Sequence, residues 1–157
     1  MRRYFANVRN AQGVRTPSSQ VEARITASGL RFTAQRGHVY EALCDRRDHP
    51  TAEQVFIRVK ETHPDISMAT VYNCLEKLVR ADLVRQVRLD GGATRYCPNM
   101  HEHAHFFCDR CGSVHDVAWD EGGLIEKLPL PGGFAAQRVE AIIHGTCPEC
   151  LANSGRP

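Results

Sequence analysis

Two pairs of cysteines in the C-terminal half have the spacing of a metal-binding knuckle. Cys108 and Cys111 form one C-x-x-C pair, and Cys147 and Cys150 form the second. Four thiolates in a tetrahedral arrangement bind zinc in a closed site that has no open position for a substrate. A redox dithiol is the alternative for one pair alone, but two pairs favour a structural zinc ion whose binding contributes folding free energy.

A histidine-rich segment precedes the first knuckle. Residues 101–105 read HEHAH and fit H-E-x-x-H, the pattern in which a helix places two histidines on a catalytic zinc ion. On a strand, the three histidines would instead point to one side. Pro98 before the segment and Phe106-Phe107 after it leave little room for a helix. We therefore favour a strand-borne metal site, and a zinc hydrolase with Glu102 as general base is the alternative.

Length and composition exclude several classes of protein. The chain of 157 residues suffices for one ordinary domain or two small ones, and no apolar run approaches the ~20 residues of a membrane span. The N-terminus lacks the apolar region of a secretory signal, and an odd number of cysteines, seven, argues against a disulfide scaffold. We expect a cytoplasmic metal protein with neither a membrane partner nor a small organic substrate.

Charge is distributed unevenly along the chain. Residues 1–98 carry 16 Lys and Arg against 10 Asp and Glu, a net charge of +6, whereas residues 99–157 carry 4 against 8, a net charge of −4. The basic part is therefore expected to meet a polyanion. We interpret residues 1–19 as a disordered extension, with a phosphate-binding arm as the alternative.

The first half of the chain predicts a helix-turn-helix. Thr33, Thr51 and Ser67 are expected N-caps, and Gln54 completes a capping box with Thr51. Residues 67–80 are predicted to form the recognition helix. Its core-facing positions are expected to be Met68, Val71, Tyr72, Leu75, Leu78 and Val79, and its outer stripe Thr70, Asn73, Lys77 and Arg80.

A predicted hairpin follows the recognition helix. Val84, Val87 and Leu89 are typical of a strand, Asp90-Gly91-Gly92 of a turn, and residues 94–96 of the returning strand. A hairpin after a helix-turn-helix is a wing, and its arginines would be Arg85, Arg88 and Arg95. The alternative is a helical core with a hairpin and no nucleic-acid partner.

The rest of the chain predicts a small mixed domain. Strands are expected at residues 105–108, 113–117 and 134–143, and a short helix at Leu124, Ile125 and Leu128. Cys44 and Cys74 lie on helix patterns and are expected to be buried. The predicted fold class is α+β, with a winged helix-turn-helix domain followed by a small α/β domain that holds the four-cysteine site.

The sequence resembles the ferric uptake regulator family of bacterial metalloregulators over about residues 20–150. The motifs that carry the resemblance are Gly29-Leu30-Arg31-Phe32-Thr33-Ala34-Gln35-Arg36, His49-Pro50-Thr51-Ala52, Ala69-Thr70-Val71-Tyr72, Ala93-Thr94-Arg95-Tyr96, His103-x-His105-Phe106-x-Cys108-x-x-Cys111-Gly112 and Gly145-Thr146-Cys147-Pro148-Glu149-Cys150. The resemblance implies a homodimer and no enzymatic activity. It further implies a winged-helix domain at residues 20–97, a hinge at 98–101, a dimerisation domain at 102–151 and a flexible tail at 152–157.

The resemblance also implies a second, regulatory metal. Its ligands by position would be His49, Cys97, His103, His105 and Asp116. Iron- and peroxide-responsive members carry Asp or Glu where Cys97 stands, and a thiolate suits zinc better, so we favour zinc over Fe²⁺ or Mn²⁺. The alternatives are an iron- or peroxide-responsive repressor and a spectator role for Cys97. A third metal site is poorly supported, because Glu102, Ala104 and Val139 stand where such members have ligands.

The implied function is metal-dependent repression of transcription at double-stranded DNA, through an AT-rich inverted repeat. Tyr72 would contact thymine methyl groups, and Arg31 would enter the minor groove. Polar contacts to bases or phosphates are expected from Ser67, Thr70 and Asn73, and backbone contacts from Arg36, Lys77, Arg88 and Arg95.

Overall fold

The computed structural model describes residues 8–9, 15–88, 92–118 and 129–153. The chain divides into two compact units, residues 1–100 and residues 101–157. The division falls inside the predicted hinge at 98–101, whereas the outer limits of the predicted domains stay predictions. In the described part of the chain, every helix is too short or too polar to cross a membrane.

Side-chain caps begin the four described helices of the first unit. These are α1 (Ser19–Ala27), α2 (Ala34–Arg46), α3 (Ala52–Lys60) and α4 (Met68–Arg80). Ser18, Thr33, Thr51 and Ser67 each accept a hydrogen bond from the backbone N–H three residues later. The Gln54 side chain accepts a hydrogen bond from the Thr51 N–H and so completes the predicted capping box. The three caps that the sequence predicted are therefore confirmed.

The helices of the first unit pack around one apolar core. Its largest fully buried side chains include Ile25, Tyr40, Leu43, Leu75 and Leu78. Cys44 and Cys74 are buried as predicted, and desolvation raises the pKa of both thiols.

Tyr72 differs from the prediction that it faces the core. It is 46% exposed, whereas Val71 and Leu75 on the same helix are fully buried. Successive helical residues are separated by about 100°, so the neighbour of a buried residue lies at the edge of the apolar face. Packing against α3 leaves that edge in solvent.

The predicted wing is present. Strand β3 (Arg85–Val87) pairs antiparallel with β4 (Arg95–Cys97), and Gln86 lies opposite Tyr96. Leu89 and the predicted turn residues Asp90 and Gly91 lie outside the described residues.

The second unit contains a three-stranded sheet with β5 in the centre. β5 (His103–Cys108) pairs antiparallel with β6 (Val114–Ala118) and parallel with β7 (Ile142–Gly145). A short helix, α5 (Pro148–Ala152), follows β7. The helix predicted at residues 124–128 lies outside the described residues.

The prediction of a strand over residues 134–143 is wrong in extent. β7 begins at Ile142, and its register places Ile142 beside His105 and Gly145 beside Cys108. Residues 134–141 are not assigned to a strand, although the Ala141 carbonyl accepts a hydrogen bond from the His105 N–H, and Phe134 is 71% exposed. The apolar residues of this segment follow a pattern typical of a strand, but a strand also requires a neighbouring strand whose backbone N–H and C=O groups can pair with it.

The extension at the N-terminus is described only in part. Val8–Arg9 (β1) and Arg15–Thr16 (β2) pair antiparallel, and Ser18 caps α1. The other residues up to position 14 lie outside the described residues, so the predicted disorder of residues 1–19 stays a prediction.

A pair of histidines, His38 buried and His63 half-buried, links α2 to the segment after α3. The His38 side chain is 8% exposed, and its ring centroid lies 3.5 Å from that of His63. Desolvation by burial, together with the neighbouring imidazole of His63, lowers the pKa of His38 from 6.5 to about 4. His38 is therefore neutral in the folded protein across the physiological range.

Lowering the pH from 7 to 5 is expected to destabilise the first unit through His38. The unfolded chain binds a proton near pH 6.5 and the folded chain only near pH 4, so stability is lost as the pH falls through this window. With about 1.4 kcal/mol per pKa unit, the loss at pH 5 is about 2 kcal/mol. Urea unfolding of zinc-saturated protein, followed by circular dichroism, should show this loss and a smaller one in His38→Gln. The exposed His144→Gln is the matched control, and equal pH dependence in His38→Gln and wild type would contradict the assignment.

Candidate metal centres and nucleic-acid interface

The four predicted cysteines meet in the second unit. Cys108, Cys111, Cys147 and Cys150 each contribute a sulfur atom that lies within 4.8 Å of the others. All four are free thiols, and Cys111 Sγ lies 3.7 Å from Cys147 Sγ. Zn–S bonds of about 2.3 Å in a tetrahedron separate the sulfurs by about 3.8 Å. The cluster therefore fits a zinc ion in a closed site.

Backbone hydrogen bonds bring the two knuckles together. The Asp109 N–H donates to the Gly145 carbonyl at 2.8 Å, which ties the first knuckle to the end of β7. The Gly112 N–H donates to the Cys108 carbonyl at 2.8 Å and closes the first turn. Gly112 has a φ of 69°, a left-handed conformation that favours glycine. The C-x-x-C-Gly sequence thus encodes this turn locally, and the register of β7 supplies the second pair.

The surroundings of the sulfurs favour thiolate at one end of the cluster. Backbone N–H groups of Cys111 and Cys147 lower the pKa of Cys108 to about 6. The Ser113 hydroxyl, 3.1 Å from Cys111 Sγ, lowers the pKa of Cys111. The neighbouring sulfurs, first that of Cys147, raise the pKa of Cys150. Four adjacent thiolates repel one another, so full ionisation of the cluster requires a cation such as Zn²⁺.

A second group of donors lies on the same sheet. His103 Nε2 lies 3.0 Å from His105 Nε2 and 3.2 Å from Asp116 Oδ1. His105 Nε2 lies 3.9 Å from the same carboxylate oxygen. The period of two along β5 places both imidazoles on one face, and the register sets Asp116 opposite His105. Three potential metal ligands thus converge on one point.

The orientation of His103 suits a metal ligand. Its Nδ1 lies 2.7 Å from the backbone carbonyl of His101, which can only accept a hydrogen bond. Nδ1 therefore carries the proton, and Nε2 presents its lone pair towards His105 and Asp116. Metal-binding histidines are commonly oriented in this way by a second hydrogen bond.

The strand geometry answers the question raised by HEHAH. Residues 103–105 belong to β5, and residues 101 and 102 form a bend before it, so no helix carries the H-E-x-x-H pattern. Glu102 is exposed. The hydrolase interpretation is not supported.

The first unit contributes its own pair of potential ligands. His49, between α2 and α3, and Cys97, the last residue of β4, are both buried and offer ligand atoms within 4.8 Å of each other. The Asn99 N–H donates to Cys97 Sγ at 3.4 Å, and the same sulfur lies 3.8 Å from the Asn99 carbonyl oxygen. His49 has a φ of 52°, a left-handed conformation that is uncommon outside glycine.

The wing strand β4 holds the loop that carries His49. The Tyr96 N–H donates to the Pro50 carbonyl at 3.0 Å, and Thr51 forms a β-bridge with Arg95. The Arg95 guanidinium donates to the His49 carbonyl at 3.0 Å. The left-handed backbone at His49 is therefore stabilised by contacts with a strand that lies far away in sequence.

The outer face of α4 presents the polar residues that the sequence predicted. Asn73 and Lys77 are exposed, and Tyr72 joins them at the edge of the helix. Ser67 Oγ and Thr70 Oγ1 lie 2.8 Å apart, so these two hydroxyls orient each other. Arg31 and the wing residue Arg88 are also exposed.

Two arginines that were expected at DNA are engaged within the fold. Arg36 is 6% exposed, and its guanidinium donates to the Arg31 carbonyl. Arg95 is partly buried on the His49 carbonyl. DNA contacts by these two side chains stay predictions, and the observed hydrogen bonds disfavour them because a guanidinium must leave its partner to reach a phosphate.

The sequence analysis missed Glu53, whose carboxylate accepts a hydrogen bond from Tyr72. The two residues lie 19 positions apart on different helices, so no local pattern links them. The described residues contain no further cluster of three or more His, Cys, Asp or Glu ligand atoms.

Comparisons with known proteins agree with this architecture. The family model of the ferric uptake regulator family matches residues 27–129. The peroxide-responsive repressor PerR of Staphylococcus aureus (strain Mu50 / ATCC 700699) is 30% identical over 129 residues, which cover 82% of this chain and 87% of that protein.

Solved structures show the same likeness. A zinc uptake regulator complexed with zinc and DNA matches with a TM-score of 0.67 and 25% identity, and the match covers 88% of this chain and 95% of that one. A zinc-bound manganese uptake regulator matches with a TM-score of 0.64 and 26% identity, over 81% of this chain and 98% of that one. With a family match over most of the folded chain, this protein belongs to the ferric uptake regulator family of metal-responsive transcriptional regulators.

Proposed function

We propose that this protein is a homodimeric, zinc-activated repressor that binds an AT-rich inverted repeat. The observation that carries the proposal is the convergence of His103, His105 and Asp116 on one point, with donor atoms 3.0 to 3.9 Å apart. Zn–N and Zn–O bonds of about 2.0–2.2 Å give ligand separations of about 3.4 Å in a tetrahedron. The buried imidazole of His49 and thiol of Cys97 supply the further ligands.

Two metal ions have different roles in this proposal. The four-cysteine cluster holds a structural Zn²⁺ that stabilises the second unit and has no open position. The regulatory ion is held by His49, Cys97, His103, His105 and Asp116. Because these ligands come from both units, a bound ion would restrain the winged helix for DNA binding.

The identity of the regulatory metal rests on Cys97. A thiolate among imidazoles and a carboxylate favours Zn²⁺ over Fe²⁺ or Mn²⁺, which prefer oxygen-rich sites. An iron- or peroxide-responsive repressor is the second candidate, because the relative of 30% identity is a peroxide-responsive repressor. In that alternative Cys97 is a spectator, and the remaining four ligands form a His and carboxylate site.

DNA recognition in this proposal uses α4 and the wing. Thr70, Tyr72 and Asn73 reach base edges or nearby phosphates in the major groove, and Arg31 enters the minor groove. Lys77 and Arg88, both exposed, neutralise phosphates. The likeness to a zinc uptake regulator complexed with zinc and DNA supports this arrangement. A metal that favours the DNA-binding form must in turn bind more tightly when DNA is present.

Removing a ligand of the structural zinc should unfold the second unit. Cys111→Ser is expected to lose about one zinc ion per chain and to melt at a lower temperature, because zinc binding supplies folding free energy. Elemental analysis after gel filtration and a thermal melt would measure both effects. Cys44→Ala, which removes a thiol buried in the other unit, should keep the zinc. A Cys111→Ser protein with unchanged zinc content would contradict the structural assignment.

Cys97→Ser should weaken regulatory zinc binding by about tenfold or more. Loss of a residue that only orients a metal ligand already costs about 10–100-fold in affinity, and a ligand itself should matter at least as much. Zinc would then activate DNA binding only at higher concentration, whereas Mn²⁺ activation should change less. Competition with a chromophoric chelator, on protein that retains its structural zinc, measures the affinity. Cys74→Ser is the matched control for a buried thiol. Unchanged zinc affinity in Cys97→Ser would favour the spectator interpretation.

Lys77→Ala and Arg88→Ala should each reduce the salt dependence of DNA binding. Each lost phosphate contact lowers the slope of log K against log salt by about one, so a substitution present in both protomers of the proposed homodimer should lower it by about two. Fluorescence anisotropy of a labelled duplex across a range of KCl concentrations would measure the slope. Arg138→Ala, an exposed arginine of the second unit, removes the same charge away from the proposed interface. Slopes equal to wild type would remove the tested residue from the interface.

A further inference from the structure

A surface hydrogen bond joins the two helices of the helix-turn-helix. The Tyr72 hydroxyl donates to Glu53 Oε1 at 2.7 Å. Glu53 lies in the first turn of α3, Tyr72 lies on α4, and both side chains are exposed. The bond therefore restrains Tyr72 at the surface and contributes nothing to the packing of the core.

The carboxylate of Glu53 is itself well anchored. Its helix begins at the capping box of Thr51 and Gln54, and the partial positive charge of the helix N-terminus stabilises a carboxylate in the first turn. The hydrogen bond from Tyr72 is the largest cause that lowers the pKa of Glu53, followed by bonds from its own backbone N–H and from Thr51. Glu53 is therefore ionised at neutral pH and remains a strong acceptor.

Tyr72 benefits from such a restraint. The residue is 46% exposed, so packing against neighbouring side chains restrains it only in part. A side chain that is already ordered loses less conformational entropy when it meets a partner. The Ser67–Thr70 pair orders the preceding turn of the same helix in a similar way, with its hydroxyls 2.8 Å apart.

The charge of Glu53 has the opposite effect on affinity for DNA in general. A carboxylate on a face that meets phosphates is repelled by every duplex, whatever its sequence. Specificity is a difference between affinities, so a repulsion that acts equally on every duplex lowers affinity without changing selectivity, whereas a contact made only with the correct sequence raises it. Glu53 combines both features, because it repels phosphates and orients the neighbouring aromatic side chain.

We propose that Glu53 is a positioning residue for operator selectivity: it holds the Tyr72 ring for a base contact, while its charge lowers affinity for every duplex. This inference rests on the proposed function, in which α4 enters the major groove. In this proposal, sequence recognition depends on an acidic residue of α3 as well as on the residues of α4.

Selectivity is measured with two duplexes of equal length and composition. One is a duplex enriched from a random library by zinc-loaded wild type, and the other is its scrambled counterpart. Glu53→Ala should bind the scrambled duplex more tightly and the enriched duplex more weakly, so that selectivity falls by about tenfold, the scale of one lost base contact. Glu53→Gln keeps an acceptor without the charge and should bind both duplexes more tightly while selectivity is retained.

Three further variants separate positioning from charge. Tyr72→Phe, which keeps the ring but loses the hydroxyl, should lose selectivity as Glu53→Ala does. The double variant should lose no more selectivity than either single one, because both changes remove the same bond. Glu61→Ala removes an exposed carboxylate at the other end of α3 and should leave selectivity unchanged.

A readout without DNA tests the bond itself. Glu53 raises the pKa of Tyr72 through its hydrogen bond, so Glu53→Ala should lower that pKa towards its ordinary value. Carbon-13 NMR of ring-labelled tyrosine reports the titration, and the signal missing in Tyr72→Phe identifies the residue.

The outcomes distinguish this inference from the proposed function. If wild type binds the enriched duplex in a metal-dependent way but Glu53→Ala keeps full selectivity, the role of Glu53 is overturned and the repressor stands. If Glu53→Ala binds both duplexes more tightly by the same factor, Glu53 acts only as a repulsive charge, and its positioning role is likewise overturned. If zinc-loaded wild type enriches no duplex at all, the proposed function fails, and the inference fails with it.

Discussion

The register of strand β5 against its two neighbours is the constraint on which both candidate metal centres depend. On one side, pairing with β6 sets Asp116 opposite His105. On the other, pairing with β7 brings Gly145 beside Cys108, two residues before Cys147. A slip of one residue would turn His103 and His105 to the other face and separate the two cysteine knuckles. One set of backbone hydrogen bonds therefore positions seven potential ligands of the second unit.

A corresponding constraint operates in the first unit, where β4 pairs with the segment after α2. The bridge between Thr51 and Arg95 and the bond from the Tyr96 N–H to the Pro50 carbonyl hold this segment against the wing. Arg95 also helps to hold His49 in its left-handed backbone conformation, because its guanidinium donates a hydrogen bond to the His49 carbonyl. The wing, Cys97 and the loop that carries His49 are thus connected by hydrogen bonds. A change in the position of His49 would therefore act on β4, a strand of the wing in the proposed DNA interface.

The two units differ in the charge of the partner that they require: the second unit needs cations, and the first unit suits a polyanion. The second unit gathers four thiols, and their full deprotonation is favourable only beside a cation. The first unit exposes Arg31, Lys77 and Arg88 to solvent, where a polyanion can neutralise them. Glu53 on α3 and Glu76 on α4 are exposed acidic residues of the same unit; Glu53 accepts a hydrogen bond from Tyr72, and Glu76 forms an ion pair with Arg80.

Local patterns were sufficient to predict several features. The caps Thr33, Thr51 and Ser67, the turn at Cys108–Gly112 and the strand hairpin after α4 follow from interactions within a few residues, which the sequence specifies directly. The same holds for the two imidazoles on one face of β5, because side chains alternate along every strand.

Features that involve distant partners were decided by the tertiary structure. The hydrogen-bond partners of Arg36 and Arg95 were not predicted, and the exposure of Tyr72 and the start of β7 at Ile142 differ from the sequence-based expectation. A guanidinium can bond to a phosphate or to a carbonyl, and an apolar run can pair or stay unpaired, so residue type alone leaves both outcomes open. Long-range packing selects between them, because only the folded chain determines which acceptor or strand edge lies within reach.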